Sequence, residues 1–471
     1  MNMFQILRNR KIAIAIALII IIPAYNRLSA FDIDIKEISK NINYKILIPS
    51  IDIDLKNKLK KYLIPYRQID ILEKDLNRYL VAGDRIIPLV FDNDIKIRNS
   101  QVNLRFELSD KRKYFSKSNL IYKRFKPTGK DILLRGINKP VPASSYLETY
   151  DDKLFILSSV GVLGYSNYTE KKEINFTQIK TNIGSYLDNE RVRVNNKLSI
   201  KDLLIDKNKA YISYTREVKN NCWNISVVYS NLNYKEMNFM PLFMPSECVD
   251  KSKLNEFNAH QSGGRIIKLN TENIIISTGD FRNRSLSQDE KSVLGKLIKI
   301  NIKNKNYSII SKGHRNIQGL YYNKMKNYIV ATEHGPKGGD EINIIDLNID
   351  NIPNFGWPIS SYGEHYSYDA EKYKKYPLYK SHKDYGFIEP IKYFIPSIGI
   401  SEIAMIKNNG KYIVSSLIDS SLYFINIGND NKIKSFNRIY IGERIRDITL
   451  LNNTLFLYLE DSGSIGVINI K

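Results

Sequence analysis

Five histidines occur in this chain of 471 residues, and three of them fall in short glycine-rich blocks between Ala259 and Pro358. His260 opens His260-Gln261-Ser262-Gly263-Gly264-Arg265, and Asp280 closes Ser277-Thr278-Gly279-Asp280. Arg315 and Asn316 follow His314, and Gly335-Pro336 follows Glu333-His334. Taken singly, each has an ordinary explanation: a histidine in a turn as a structural hydrogen-bonder, and an aspartate after glycine as a turn former. Together they offer an imidazole, a carboxylate and a guanidinium. With the carboxylate fixing the imidazole tautomer, that set makes a general-base site. Other chemistries lack their residues: no GxGxxG precedes a helix, and GxxxxGK[ST], HExxH and GxSxG are missing. Gly335-Pro336-Lys337-Gly338-Gly339 lacks the Lys-Ser/Thr ending of a phosphate loop.

The elements that must carry these residues read as short strands. From Leu133 onward, apolar runs broken by turns indicate an all-β domain. One phrase recurs: a strand, a small-residue break and a second strand. It appears as Leu154–Val160 with Val162–Tyr165, Ala210–Tyr214 with Ile225–Tyr229, and Ile274–Thr278 with Gly295–Ile300. It returns as Tyr328–Thr332 with Glu341–Ile345, Tyr412–Ser416 with Ser421–Ile425, and Leu455–Tyr458 with Ile465–Ile470. Repeats of this spacing, each with room for about four strands, predict a six-bladed β-propeller over residues 131–471. In a propeller, loops from successive blades converge on the central channel, which would bring His260, Asp280, Arg315 and Asn316 together. The widest interval holds Asn348–Pro390, a long loop dense in tyrosine, and loops of that length in a compact domain are usually functional or disordered.

Residues 31–130 read differently, as a small α+β accessory region. Helical spacing marks Asp54–Leu63 and Ile69–Leu80, strand-like alternation marks Arg85–Phe91 and Val102–Leu108, and Pro127-Thr128-Gly129 reads as a linker. Ahead of it, Arg8, Arg10 and Lys11 precede an apolar run from Ile12 to Ile22, with Leu28-Ser29-Ala30 beyond. A basic start and short apolar centre describe an export signal over residues 1–30, or an uncleaved N-terminal membrane anchor, and the run is short of the about 20 residues of a full span. Either places the body of the protein outside the cytoplasm. There Cys222 and Cys248, the two cysteines, are expected to pair, adding roughly 3–4 kcal/mol. The net charge of +22 is spread along the chain without a dense basic block or a nucleic-acid-binding signature. It indicates a diffusely positive surface, and no nucleic-acid partner is expected.

The blocks around His260, Arg315, Glu333-His334-Gly335-Pro336 with Asp340-Glu341-Ile342-Asn343, and Asn354-Phe355-Gly356-Trp357-Pro358 resemble the soluble quinoprotein glucose/sorbosone dehydrogenases, which include the aldose sugar dehydrogenases. The likeness extends to Pro396-Ser397-Ile398 and Glu443-Arg444-Ile445-Arg446-Asp447-Ile448, and covers roughly Pro140 to the C-terminus. The resemblance implies a propeller binding pyrroloquinoline quinone (PQQ) and Ca²⁺ at its axis. It implies His260 as the base for a sugar C1 hydroxyl, with hydride passing to the quinone, and Asp280 orienting His260. Arg315 would stabilise charge on the quinone oxygen, Asn316 would contact the cofactor, and Arg444 and Arg446 would hold its carboxylates. The carbonyls of Gly335 and Pro336 would ligate Ca²⁺, a hard cation suited to oxygen. The expected partners are a sugar and an external electron acceptor. Two departures stand out: Ile418 occupies a position where the family usually has a cofactor-contacting lysine, and Ala259 one where the glucose dehydrogenases have an acidic residue. They motivate a second expectation, a cofactor-free propeller that binds a carbohydrate or protein.

Overall fold

The structure, a computed structural model, describes residues 79–82, 85–88, 104–114, 120–128, 144–159, 161–169, 172–187, 199–367, 369–406 and 410–470. Two compact units divide at Phe91/Asp92. In the first, Tyr79–Ala82 and Arg85–Pro88 form an antiparallel hairpin. The expected N-terminal signal and the helix at Asp54–Leu63 lie outside the described residues. So does the helix at Ile69–Leu80, except that Tyr79 and Leu80 begin a strand.

The second unit is all-β and propeller-like. Each of the six recurring strand pairs is an antiparallel hairpin, from Lys153–Ser158 with Leu163–Ser166 through to Thr454–Leu459 with Ser464–Asn469. Each also gains a leading strand in front. Gly263–Lys268, Asn273–Thr278, Lys296–Asn301 and Tyr307–Lys312 form one four-stranded sheet, and the sheets led by Ile317–Asn323 and Ile400–Ile406 repeat the order. The leading strands Ser145–Tyr150, Ile200–Asp206, Gly263–Lys268, Ile317–Asn323, Ile400–Ile406 and Ile445–Leu451 each lie beside the next, and the last lies beside the first. Sheet faces that pack on neighbours at both sides need apolar residues at every position, not alternation. Ile274, Ile275 and Ile276 are accordingly all buried, whereas the outer strand Ile433–Tyr440 is mostly exposed. Apolar clusters fill the space between sheets, as where Ile275 and Leu297 meet Ile317, Ile329 and Phe355. Each such side chain contributes about 1.5–3 kcal/mol.

The accessory region was expected to run to residue 130, but the compact unit begins at Asp92. Leu120–Pro127 pairs antiparallel with Ser464–Asn469, with Ile465 opposite Phe125 and Ile468 opposite Tyr122. Leu104–Tyr114 pairs with Leu120–Pro127 on one side and Glu173–Thr181 on the other. An N-terminal strand thus completes the last sheet. The physical reason is the free edge that the C-terminal strand would otherwise present. Phe106 and Phe125 are fully buried there, so Pro127 ends a strand and is not a linker.

Cys222 and Cys248 form the expected disulfide, with Cα atoms 5.3 Å apart. It staples Cys222–Asn231 beside the short strand Val249–Asp250. Among the described residues no helix is long and apolar enough to cross a membrane.

Candidate active site at the leading-strand ends

Antiparallel pairing sets the start of each leading strand beside the end of the next one: Gly263 faces Thr278, Ile317 faces Glu333, and Ile445 faces Leu459. Connections before a leading strand and after its partner therefore share one end of the unit. His260, Asp280, Arg315, Asn316, Gly335, Pro336 and Arg444 all lie on such connections, and Arg446 lies on a leading strand just inside.

His260 sits exposed in a 3-10 turn, Ala259–Gln261, whose cap Asn258 accepts the His260 N–H at 3.0 Å. Backbone bonds pin this turn to the one after Thr278: Gly279 N–H donates to Ser262 at 2.7 Å, and Phe281 N–H to Gln261 at 2.9 Å. A Cβ on Gly279 would fall 2.1 Å from the Gln261 carbonyl oxygen, so only glycine admits this approach. Beyond it, Phe281 and Arg282 adopt φ of 50° and 70°. Consecutive left-handed non-glycine residues are strained by about 1–3 kcal/mol each and persist only where the surroundings hold them.

Asp280 is fully buried. Its Oδ2 accepts from Trp357 Nε1 at 2.8 Å and its Oδ1 from the Arg282 N–H at 2.8 Å. Burial raises its pKa, and Arg315 opposes the rise. The sequence motif contains Trp357 but gives it no role, although its indole holds Asp280 and lies 5.5 Å below the Arg315 guanidinium and 5.8 Å from that of Arg284.

Arg315 is buried, which lowers its pKa while Asp280 raises it. Its carbonyl accepts the Asp280 N–H at 3.1 Å, and its Nη1 donates to the His334 carbonyl at 3.0 Å. Asn316 Oδ1 accepts from Gly263 N–H at 3.1 Å and Gln318 Nε2 at 3.0 Å, and its Nδ2 lies 3.4 Å from His334 Nδ1. Burial lowers the His334 pKa to about 4, so its imidazole is neutral at pH 7. Gly335 N–H then bonds Asp340 Oδ1 at 3.1 Å, and a Cβ on Gly335 would sit 2.1 Å from the Gly339 carbonyl oxygen. That closed loop fixes the half-buried Gly335 and the buried Pro336. Among the described residues no group of three or more His, Cys, Asp or Glu side chains could hold a metal, so a cation here would depend on carbonyl oxygens.

Arg444 and Arg446 meet on Glu460, at 3.0 Å from Nε of the first and 2.9 Å from Nη2 of the second. Burial would raise the Glu460 pKa, but Arg446 and Arg444 outweigh it and hold it at about 2. Arg446 Nη1 reaches Gln318 Oε1 at 3.3 Å, which joins this pair to Asn316. All the sequence-predicted residues thus belong to one hydrogen-bonded end of the unit. Glu460 takes both guanidinium groups, and Asp461 Oδ2 accepts the Arg444 N–H at 3.2 Å. Gln261 Oε1 and His334 Nε2 are buried without a protein partner. Guanidinium groups with further N–H donors and these orphaned polar atoms fit a polar, hydrogen-bonding group that carries carboxylates, such as PQQ. Ile418 lies at the same end with 67% of its surface exposed.

Beneath this layer lies a cluster that the sequence reading passed over. Arg265 Nη1 stands 3.0 Å from Asp202, 2.9 Å from Glu402 and 2.8 Å from Asp447, its Nε donates to the Gln318 carbonyl, and its Nη2 to the Arg446 carbonyl. Asp447 also accepts the Leu147 N–H at 2.6 Å, so all the leading strands meet at one guanidinium. Burial raises the pKa of Asp202 to about 7 and that of Glu402 well above its usual range, against the pull of Arg265. The long loop packs over the site's flank. Glu256 ties Arg284 and Lys372 to it, His365 Nδ1 lies 3.0 Å from Arg284, and Tyr379 stacks on Tyr385 at 4.0 Å. An open groove of about 650 Å³ between Ile391, Lys392, Ile433 and Phe436 lies at outer sheet edges, away from this chemistry.

Comparisons with known proteins bear on the fold and the family. A protein of Synechocystis sp. is 29% identical over 215 residues, covering 40% of this chain and 50% of the relative. The aldose sugar dehydrogenase YliI of Escherichia coli is 28% identical over 223 residues, covering 43% and 57%. The chain thus spans about half the length of the curated relatives it matches. Among solved structures, the soluble aldose sugar dehydrogenase of Escherichia coli in its apo form superposes with a TM-score of 0.52 at 20% identity, over 71% of this chain and 97% of that one. The PQQ-bound aldose sugar dehydrogenase of Streptomyces coelicolor gives 0.53 at 16% identity, over 72% and 96%. At these identities the likeness speaks to the fold. A family model described as glucose/sorbosone dehydrogenase matches residues 200–468, more than half of the sequence, and the chain belongs to that family.

Proposed function

We propose that this protein is an exported PQQ- and Ca²⁺-dependent oxidoreductase, built on a six-bladed propeller, that oxidises the C1 hydroxyl of an aldose or related sugar. The observation that carries the reading is the continuous contact chain from the His260 turn through Asn316 to His334, Arg315 and Asp280. His260 is exposed where a ligand can reach it, and it takes the hydroxyl proton as general base. Asp280, buried and held by Trp357, fixes the negative end of the site beside the His260 turn. Arg315, whose guanidinium lies between the His334 carbonyl and the Trp357 ring, would stabilise charge that develops on the acceptor. Arg444, Arg446 and Asn316 would hold PQQ, and the Gly335 and Pro336 carbonyls would hold Ca²⁺. When bound, the quinone supplies a two-electron acceptor for the C1 hydride. The partners of this reading are the sugar and an external electron acceptor. The basic, apolar N-terminal segment supports export, with or without retention at the membrane.

The test is to add PQQ and Ca²⁺ to purified protein and follow dye reduction with a panel of aldoses. Turnover that His260→Ala abolishes, with quinone binding intact, is expected. Absence of both turnover and a bound quinone spectrum overturns the proposal. One observation favours a second reading: exposed Ile418 at a cofactor-lysine position suits a cofactor-free module that binds a carbohydrate or protein. Sub-micromolar PQQ binding by calorimetry with Ca²⁺ present would exclude it.

A further inference from the structure

Ser311, His314 and Glu333 form a line of hydrogen bonds behind the site. Ser311 Oγ lies 2.8 Å from His314 Nε2, and His314 Nδ1 lies 2.9 Å from Glu333 Oε2. The order is that of a nucleophilic triad, yet all three side chains are buried, with Ser311 and His314 at 0% exposure and Glu333 at 4%. No substrate reaches that hydroxyl. The chain instead ends on backbone: Glu333 Oε1 accepts the N–H of Arg315, and that of Asn316 at 3.3 Å. Burial would raise the Glu333 pKa, but His314 and these donors hold it below the ordinary carboxylate range. His314 is itself clamped by stacking on Phe355 at 4.8 Å.

We infer that Glu333 is a positioning residue that aims Arg315 and Asn316, with His314 and Ser311 fixing its carboxylate. The geometry explains why a buried acid sits there. Arg315 and Asn316 lie on a connection between sheets, and no strand ladder accepts their N–H groups. One carboxylate oxygen takes both, and the second oxygen is locked so that the first cannot rotate away. The two side chains thereby leave the backbone in a fixed direction, toward His334 and the cofactor end. This role rests on the proposed cofactor reading only for its functional consequence; the backbone restraint stands apart from it.

The experiment compares Glu333→Gln with wild-type protein, using Ile425→Val in a distant apolar cluster as a control for general destabilisation. Glutamine keeps the size but turns an amide donor toward His314 or toward the backbone. Hydrogen exchange at the Arg315 and Asn316 amides, without cofactor, is expected to quicken about tenfold or more in E333Q and not in I425V. PQQ affinity by calorimetry, and kcat more than KM, are expected to fall about 10- to 100-fold, the usual loss when an orienting partner is removed. Unchanged exchange overturns the inference, as does faster exchange with affinity and kcat preserved. If wild-type protein binds no PQQ, the cofactor reading fails and exchange alone decides the role of Glu333. Should E333Q not fold, Ser311→Ala removes only the far end of the line, and a smaller loss in the same order is expected; none would overturn the role.

Discussion

Replacing Arg265 with methionine tests whether the unit is held at its axis by charge. The guanidinium faces Asp202, Glu402 and Asp447 at 2.8–3.0 Å and also satisfies two carbonyls, with 3% of its surface exposed. Methionine fills similar space and leaves the carboxyl groups facing one another. Breaking a buried ion pair by removing one partner costs about 3–5 kcal/mol, and each carbonyl left dry adds about 1–3 kcal/mol. A loss of at least about 5 kcal/mol is a large share of the about 5–15 kcal/mol that holds a typical domain. The penalty should depend on pH with a definite sign. The folded pKa of Asp202 is raised to about 7 by burial, above its unfolded value, so its protonation favours the folded state. That stability is fully present below the unfolded carboxylate value of about 4 and is lost as pH rises through about 7. Without Arg265 the carboxyl groups bind protons still more readily, so R265M should be closest to wild type near pH 5 and furthest near pH 8. Urea unfolding at both values measures this. A loss under about 1 kcal/mol, or a penalty equal at both pH values, refutes the argument.

Further perturbations address the site itself. Trp357→Phe removes the N–H that Asp280 Oδ2 accepts, so the already raised Asp280 pKa should climb further and the acid limb of kcat/KM should move to higher pH; an unmoved limb would remove Trp357 from that role. Ile418→Lys adds a cation at a mostly exposed position, worth up to about 1 kcal/mol, so PQQ affinity should improve by up to about fivefold in calorimetry. A weaker complex would show that the position does not face the cofactor.

Strand content and hairpin pairing were legible in the sequence because they are local. Runs such as Ile274-Ile275-Ile276 can be buried only inside stacked sheets, and the six recurring pairs became hairpins with nearby partners. The glycine-rich blocks were legible for the same reason: Gly279 and Gly335 mark close backbone approaches that any side chain would block. Tertiary structure alone decided what lies far apart along the chain. The pairing of Phe125 with Ile465 made part of the supposed accessory region a strand of the last sheet. Arg265 and Asp447 meet across a separation of 182 residues, and Ser144 meets Glu460 across 316. No local pattern announces such contacts, since a charged residue that reads as solvated surface becomes a core residue only when distant carboxylates surround it. His260, Asp280, Arg315 and Asn316 could therefore be named from sequence, but the Trp357 indole, the Glu333 carboxylate and the Glu460 bridge that hold that end together came from packing.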